Sequence, residues 1–192
     1  MPALRRLVLA SDSPRRLALL RQVGVEPDLV VSSGIVEAAL ADETPRQMAA
    51  RLARAKAQAV DAPGAFVLAA DTVVAVGRRV LGKPADDEAA LAGLRLLSGR
   101  GHRVFSAVVL RHPDGRVAAR LSETRVNFCR LNAAALTAYL ASGEWRGKAG
   151  GYAVQGLAAT WVRALSGSHS GVVGLPLFET AQLLRGAGWN IP

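Results

Sequence analysis

The sequence holds one cysteine, Cys129, and three histidines in 192 residues. A lone cysteine excludes a disulfide framework and a thiolate zinc site. His102, His112 and His169 lack the spacing of a zinc-protease helix. No apolar run approaches the roughly 18 residues that a membrane-spanning helix needs. The apolar stretch after Arg5 and Arg6 stops at Ala10, too short for a secretory leader. Neither a Gly-x-x-x-x-Gly-Lys-Ser/Thr loop nor a Gly-x-Gly-x-x-Gly turn is present, and Ser166-Gly167-Ser168 lacks the surroundings of a nucleophile elbow. Covalent nucleophilic catalysis therefore has no good candidate. Aromatic residues make up 5% of the chain, which leaves little for stacking on single-stranded nucleic acid. These absences predict a soluble, cytoplasmic protein with no membrane contact.

What the chain does hold is apolar bulk and positive charge. Its hydrophobic content of 51% is ample for a core, and its length predicts a single α/β unit over residues 1–192. The net charge is +9, and the excess is nearly all arginine, since Lys56, Lys83 and Lys148 are the only lysines. Abundant arginine beside abundant alanine looks like a coding bias. The arginines are scattered and form no basic arm, so no stable nucleic-acid partner is expected, although a smaller polyanion fits the charge.

Apolar periodicity predicts helix and strand in alternation, then a long hairpin. Leu7 to Ala10 reads as a buried strand, followed by a helix with Ser11 and Ser13 as capping candidates and Pro14 in its first turn. Thr44-Pro45 opens a helix that runs to about Val60. Phe66 to Val76 is a central strand, Gly77 to Arg79 a turn, and Val80-Leu81 a short return. A helix is predicted from Asp86 to Leu97, and strands from Val104 to Leu110 and from Val117 to Phe128, joined by the turn at His112 to Gly115. Asn132 caps a further helix, a strand is predicted near Thr160 to Leu165, and the last helix starts at Pro176. The pattern is that of a mixed, twisted sheet with flanking helices.

Several residues stand out against this frame. The strand–turn–helix at Leu9 to Arg16 offers unpaired N–H groups and two arginines, a natural cradle for phosphate; taken alone, the stretch reads more readily as a capped helix with two solvated arginines. Asp71 interrupts an otherwise apolar strand, with Thr72 beside it. A carboxylate there is costly unless paired or metal-bound, so it is either a strand-end group bonded to a loop or a metal ligand or general base. Lys83, fixed between Gly82 and Pro84, could meet phosphate as a point charge or simply decorate a turn. Lys56, in an alanine-rich helix among arginines, reads locally as part of a solvated face. Glu37 is either ordinary loop acidity or a second carboxylate that shares Mg²⁺ with Asp71.

Together these segments resemble one family, the Maf (septum-formation-inhibitor-like) nucleotide pyrophosphatases. Leu9-Ala-Ser-Asp-Ser-Pro-Arg-Arg16 is similar to its opening signature, Arg51 to Ala57 to its lysine helix, Ala70 to Val74 to its acidic strand, and Leu81-Gly-Lys-Pro84 to its lysine turn. Leu97 to Val104, Lys148 to Gly156 and Val172 to Leu177 also match, in order. The chain departs from the pattern at Trp145, His169 and residues 158–161, and Ser33 to Ala38 is a loose match. The resemblance implies a Maf/ITPase-like fold with a cleft between two lobes. It also implies hydrolysis of a nucleoside triphosphate to the monophosphate and pyrophosphate with a divalent metal, Mg²⁺ or Mn²⁺. On matching positions, Asp71 would be the general base and a metal ligand, and Glu37 a metal ligand. Ser11, Arg15, Arg16, Lys56 and Lys83 would surround the triphosphate. The triplet Arg15, Thr72 and Gln155 resembles the branch acting on dTTP and UTP rather than the 7-methyl-GTP branch. A glutamine amide both donates and accepts, as a uracil or thymine edge requires. The resemblance also implies nucleotide-pool cleansing, a link to cell-division arrest and a homodimer. A non-catalytic regulator of septum formation is the alternative, and it has no need of Asp71.

Overall fold

The computed structural model describes residues 5–191. The outer residues of the expected 1–192 unit lie outside this range. The strands are β1 (Leu7–Ala10), β2 (Leu29–Val31), β3 (Phe66–Val76), β4 (Arg79–Leu81), β5 (Gly101–Arg111), β6 (Val117–Phe128) and β7 (Val162–Ser166). The helices are α1 (Pro14–Gln22), α2 (Pro45–Ala59), α3 (Asp87–Leu97), α4 (Ala133–Ser142), α5 (His169–Val173) and α6 (Leu177–Gly186). The strands join in one seven-stranded sheet in the order β2-β1-β3-β5-β6-β7, with β4 paired to β3 off that path. β1 lies parallel to both β2 and β3, and the other pairings are antiparallel. The fold is therefore the mixed α/β sheet with flanking helices that the alternation predicts.

One break in this sheet makes the site. Along one edge β3 pairs with β1 as far as Ala10↔Ala69, and with β4 only from Val74↔Leu81. Residues 70–73 of β3 are bare on that side while their other side stays paired to β5. Asp71 and Thr72 sit in this gap. Successive strand residues face opposite sides of a sheet, so these two open onto different faces of it.

The faces are covered by different helices. Val67, Ala69, Val73 and Ala75 of β3 pack on Met48, Ala49, Leu52, Ala53 and Ala57 of α2. On the other face Leu68 and Ala70 meet Leu20 of α1 and Leu183 and Leu184 of α6. Further along that face, Val74 meets Ala90 and Leu94 of α3 and Leu136 of α4. Asp71, two residues from both Ala69 and Val73, shares the α2 face.

Helix starts follow their capping residues. Thr44 and Gln47 form a capping box on α2, with Pro45 in the first turn. Asp86 accepts from Ala89 N at 2.7 Å, and Asn132 from Ala135 N at 2.8 Å. Four segments depart from the pattern reading. β2 has three residues and α5 five, too few for any periodicity. β5 begins at Gly101, not Val104, because its ladder with β6 continues to Gly101↔Asn127. The expected strand from Thr160 starts as a 3₁₀ turn, Leu157–Trp161. There the buried Trp161 ring packs on Tyr139 and Phe128. Among the described residues no helix is long and apolar enough to cross a membrane.

Candidate active site

The acidic centre starts from the phase of α2. Met48, Leu52 and Lys56 recur every four residues, so the helix that buries Met48 and Leu52 buries Lys56 too. Lys56 is 6% exposed, not on a solvated face. Its Nζ lies 2.5 Å from Asp71 Oδ1 and 2.5 Å from Glu37 Oε1. Lys83 Nζ closes on the other Glu37 oxygen at 3.1 Å. Asp71 is 5% exposed, and its second oxygen has no hydrogen-bond partner among the described residues. Burial pushes the Glu37 carboxyl up, but hydrogen bonds and charge from Lys56, then Lys83, outweigh it and leave it below the ordinary value. The loop that carries Glu37 is pinned by Arg51, which donates to both Glu43 oxygens at 2.6 and 2.7 Å and to the Ala38 carbonyl at 2.9 Å.

A second group of charges lies around the start of α1. Its N-cap, Ser13, makes no side-chain cap. Ser11 Oγ instead accepts from Ser13 N at 3.1 Å and from Arg16 Nη1 at 3.3 Å. Arg16 Nε donates to the Gly174 carbonyl at 2.8 Å. Gly174 has φ +143°, a backbone setting that a side chain disfavours. The Thr72 hydroxyl meets the same carbonyl at 3.5 Å and accepts from Ser106 Oγ at 3.3 Å. Burial lowers the Arg16 guanidinium pKa, and the Asp71 and Glu37 carboxylates oppose that shift. Arg15 Nη2 reaches the Gly147 carbonyl at 3.5 Å.

The wall from Gly147 to Gln155 is fixed from behind. Gly150, at φ +71°, lies so close to the Val74 side chain that a Cβ would come within 2.9 Å of it. Its N–H binds the Gly82 carbonyl at 3.0 Å, next to Lys83. Tyr139 OH accepts from Ala153 N at 2.9 Å, and Tyr152 OH meets His102 Nε2 at 2.8 Å. Burial drives the His102 imidazole down to about 4, so the ring is neutral at physiological pH. These anchors present Gln155 at the surface of the cleft.

Every residue singled out from the sequence lines one cleft of about 390 Å³: Ser11, Arg15, Arg16, Glu37, Lys56, Asp71, Thr72, Lys83 and Gln155. The structure adds Lys148, Tyr152 and Gly174 to its walls. Lys148 carried a readable signal, being one of only three lysines and opening the Lys148 to Gly156 motif. Among the described residues no three His, Cys, Asp or Glu side chains cluster as a metal cage. Glu37 and Asp71 nonetheless converge on one cationic group at the cleft, with hard oxygen donors. That donor set suits Mg²⁺ or Mn²⁺, ions that take one or two carboxylates and fill the remaining positions with water and substrate phosphate.

A family model described as Maf-like protein matches residues 6–187. The chain belongs to the Maf family. Among its Maf relatives, a dTTP/UTP pyrophosphatase of Caulobacter vibrioides is 59% identical over 186 residues, 96% of each chain. One of Hyphomonas neptunium is 53% identical over 190 residues, covering 99% of this chain and 100% of its own. The solved HAM1 protein of Coxiella burnetii is similar over 66% of this chain and 74% of its own, at 16% identity and a TM-score of 0.45.

Proposed function

We propose that this Maf protein hydrolyses nucleoside triphosphates, dTTP and UTP foremost, to the monophosphate and pyrophosphate, with Asp71 as the general base. The observation that carries the reading is the buried Asp71 carboxylate at the break in the sheet, held by Lys56 at 2.5 Å and facing a cleft lined with cations. The dTTP/UTP pyrophosphatases of Caulobacter and Hyphomonas support the choice of substrate, as does Gln155, whose amide can pair with a pyrimidine edge.

The chain's residues divide the chemistry among them. The free Asp71 oxygen takes a proton from water, and the water oxygen attacks the α-phosphorus. The bond from that phosphorus to the bridging oxygen breaks, and its electron pair leaves with pyrophosphate. Lys56 keeps the carboxylate in place and offsets its charge against the incoming anion. Arg16 and the amides at the start of α1 meet phosphate oxygens as charge builds on them. Glu37 and Asp71 are the residues that would hold Mg²⁺ or Mn²⁺; when bound, such an ion neutralises phosphate charge and acidifies water. The physiological setting that fits this chemistry is cleansing of the cytoplasmic nucleotide pool.

The test is pyrophosphate release from dTTP, UTP, CTP, GTP and 7-methyl-GTP with Mg²⁺. We expect release from dTTP and UTP, lowered by about 10²–10⁴-fold in Asp71→Asn, the range a general base contributes, with an unchanged circular dichroism spectrum. An Asp71→Asn enzyme with full activity would sink the mechanism. Absence of turnover on any nucleotide would favour a binding role.

A further inference from the structure

The lysines of the cleft fall into two kinds. Lys56 and Lys83 are both tied to carboxylates, through Asp71 and Glu37. Lys148, half-buried in the wall from Gly147 to Gln155, makes no ion pair among the described residues. Among the described residues its side chain makes one hydrogen bond, a long one of 3.4 Å to the Arg146 carbonyl. Arg15 likewise has no acidic partner there, and its guanidinium reaches the carbonyl of Gly147, the residue just before Lys148. Glu144, the acid nearest to Lys148 along the chain, spends Oε2 on the Leu157 N–H at 2.9 Å.

We propose that Lys148 and Arg15 together grip the outer phosphates of the nucleoside triphosphate, the part that departs as pyrophosphate. This rests on the pyrophosphatase reading above. Two unpaired cations beside each other in a cleft repel, and a polyanion between them removes the repulsion and is held by charge-assisted hydrogen bonds. The order of charges gives the direction. Arg16 shares the Gly174 carbonyl with Thr72, the neighbour of Asp71 in β3. Arg15, the next residue of α1, instead reaches the Gly147 carbonyl, beside Lys148. Arg16, Arg15 and Lys148 therefore form a cationic line that begins beside the general base and leads away from it. A phosphate chain attacked at its inner phosphorus lies along such a line with its outer phosphates at the Lys148 end. Negative charge grows on that end as the bridging bond breaks, so the grip serves the leaving group as well as binding.

The experiment compares inorganic pyrophosphate and dTMP, each titrated calorimetrically with Mg²⁺ into the wild type, Lys148→Met and Lys148→Arg. These are set beside KM and kcat for dTTP. Lys148→Met is expected to weaken pyrophosphate by about tenfold or more, the loss of one charge-assisted contact. It should raise KM for dTTP, and it should leave dTMP affinity and the melting temperature unchanged. Lys148→Arg should recover most of the pyrophosphate affinity. A structural role would weaken dTMP equally, and that result overturns the proposal, as does an unchanged affinity for pyrophosphate in Lys148→Met. The two readings separate cleanly. Wild-type protein that binds pyrophosphate through Lys148 but turns over no nucleotide removes the hydrolase reading alone. Full wild-type turnover with pyrophosphate affinity indifferent to Lys148→Met removes the grip alone.

Discussion

The two walls of the cleft handle charge in opposite ways. On the α2 side, Asp71, Lys56, Glu37 and Lys83 form an alternating chain of acid and base, with every lysine charge matched. On the other side, neither Arg15 nor Lys148 has an acidic partner within ion-pair reach among the described residues. The first arrangement is settled within the folded protein and holds in place the carboxylate proposed to act on water. The second has no compensating acid within ion-pair reach, and that is the basis of the proposed grip on phosphate. The difference teaches that burial alone does not mark a binding residue. Lys56 is the more buried of the two lysines, yet its charge is already spent on carboxylates, whereas Lys148 has no carboxylate partner among the described residues.

The sharpest way to break the comparison is to remove the buried cation. Lys56→Met leaves Asp71 as a buried carboxylate with no partner, at a cost of about 3–5 kcal/mol. Urea unfolding should reveal it as a large fall in midpoint. Lys148→Met should show none, because that lysine has no charge partner to abandon. Equal effects from the two substitutions would erase the distinction between the walls.

His102, which supports the second wall through Tyr152, gives the next effect. Its folded pKa of about 4 lies below the ordinary 6.5, so on acidification the unfolded chain takes up the proton first. Stability from the neutral ring is complete above about pH 6.5 and is lost as the pH falls towards 4, by about 3 kcal/mol in all. In His102→Gln, which keeps a hydrogen-bonding group near Tyr152 and does not titrate, the melting temperature should fall less steeply across that window. Parallel curves would show that His102 does not set this slope. The smallest effect belongs to Lys83, whose side chain is 57% exposed in its pairing with Glu37. Lys83→Met should change stability by no more than about 1 kcal/mol, and a larger loss in urea unfolding would mean that this pair is as structural as the one at Lys56.

Much of the fold was legible because local pattern sets faces. The apolar run around Asp71, the capping box at Thr44 and the turn at His112 to Gly115 each announce an element within a few residues. Lys56 shows where that kind of reading stops. The apolar face of α2, Met48, Ala49, Leu52 and Ala53, is legible, but a lysine in phase with it reads as solvated until the carboxylates that its charge meets beneath the helix are known. The three residues of β2 and the five of α5 were invisible for a related reason: short elements take their conformation from the partners they pair with or pack upon.

The amino-acid order by itself determined the alternating helices and strands, the placement of a lone carboxylate in a central strand, and the motif set that joins the chain to the Maf family. Tertiary structure decided what those residues meet. It left Asp71 in the gap between β1 and β4, turned Lys56 inward to share its proton donors between two carboxylates, and brought Arg15 to the Gly147 carbonyl across 132 residues of chain. The physical reason is one of range. Periodicity and capping act over a turn or a strand, while charge compensation is settled between groups that only the folded sheet brings within a few ångströms of each other.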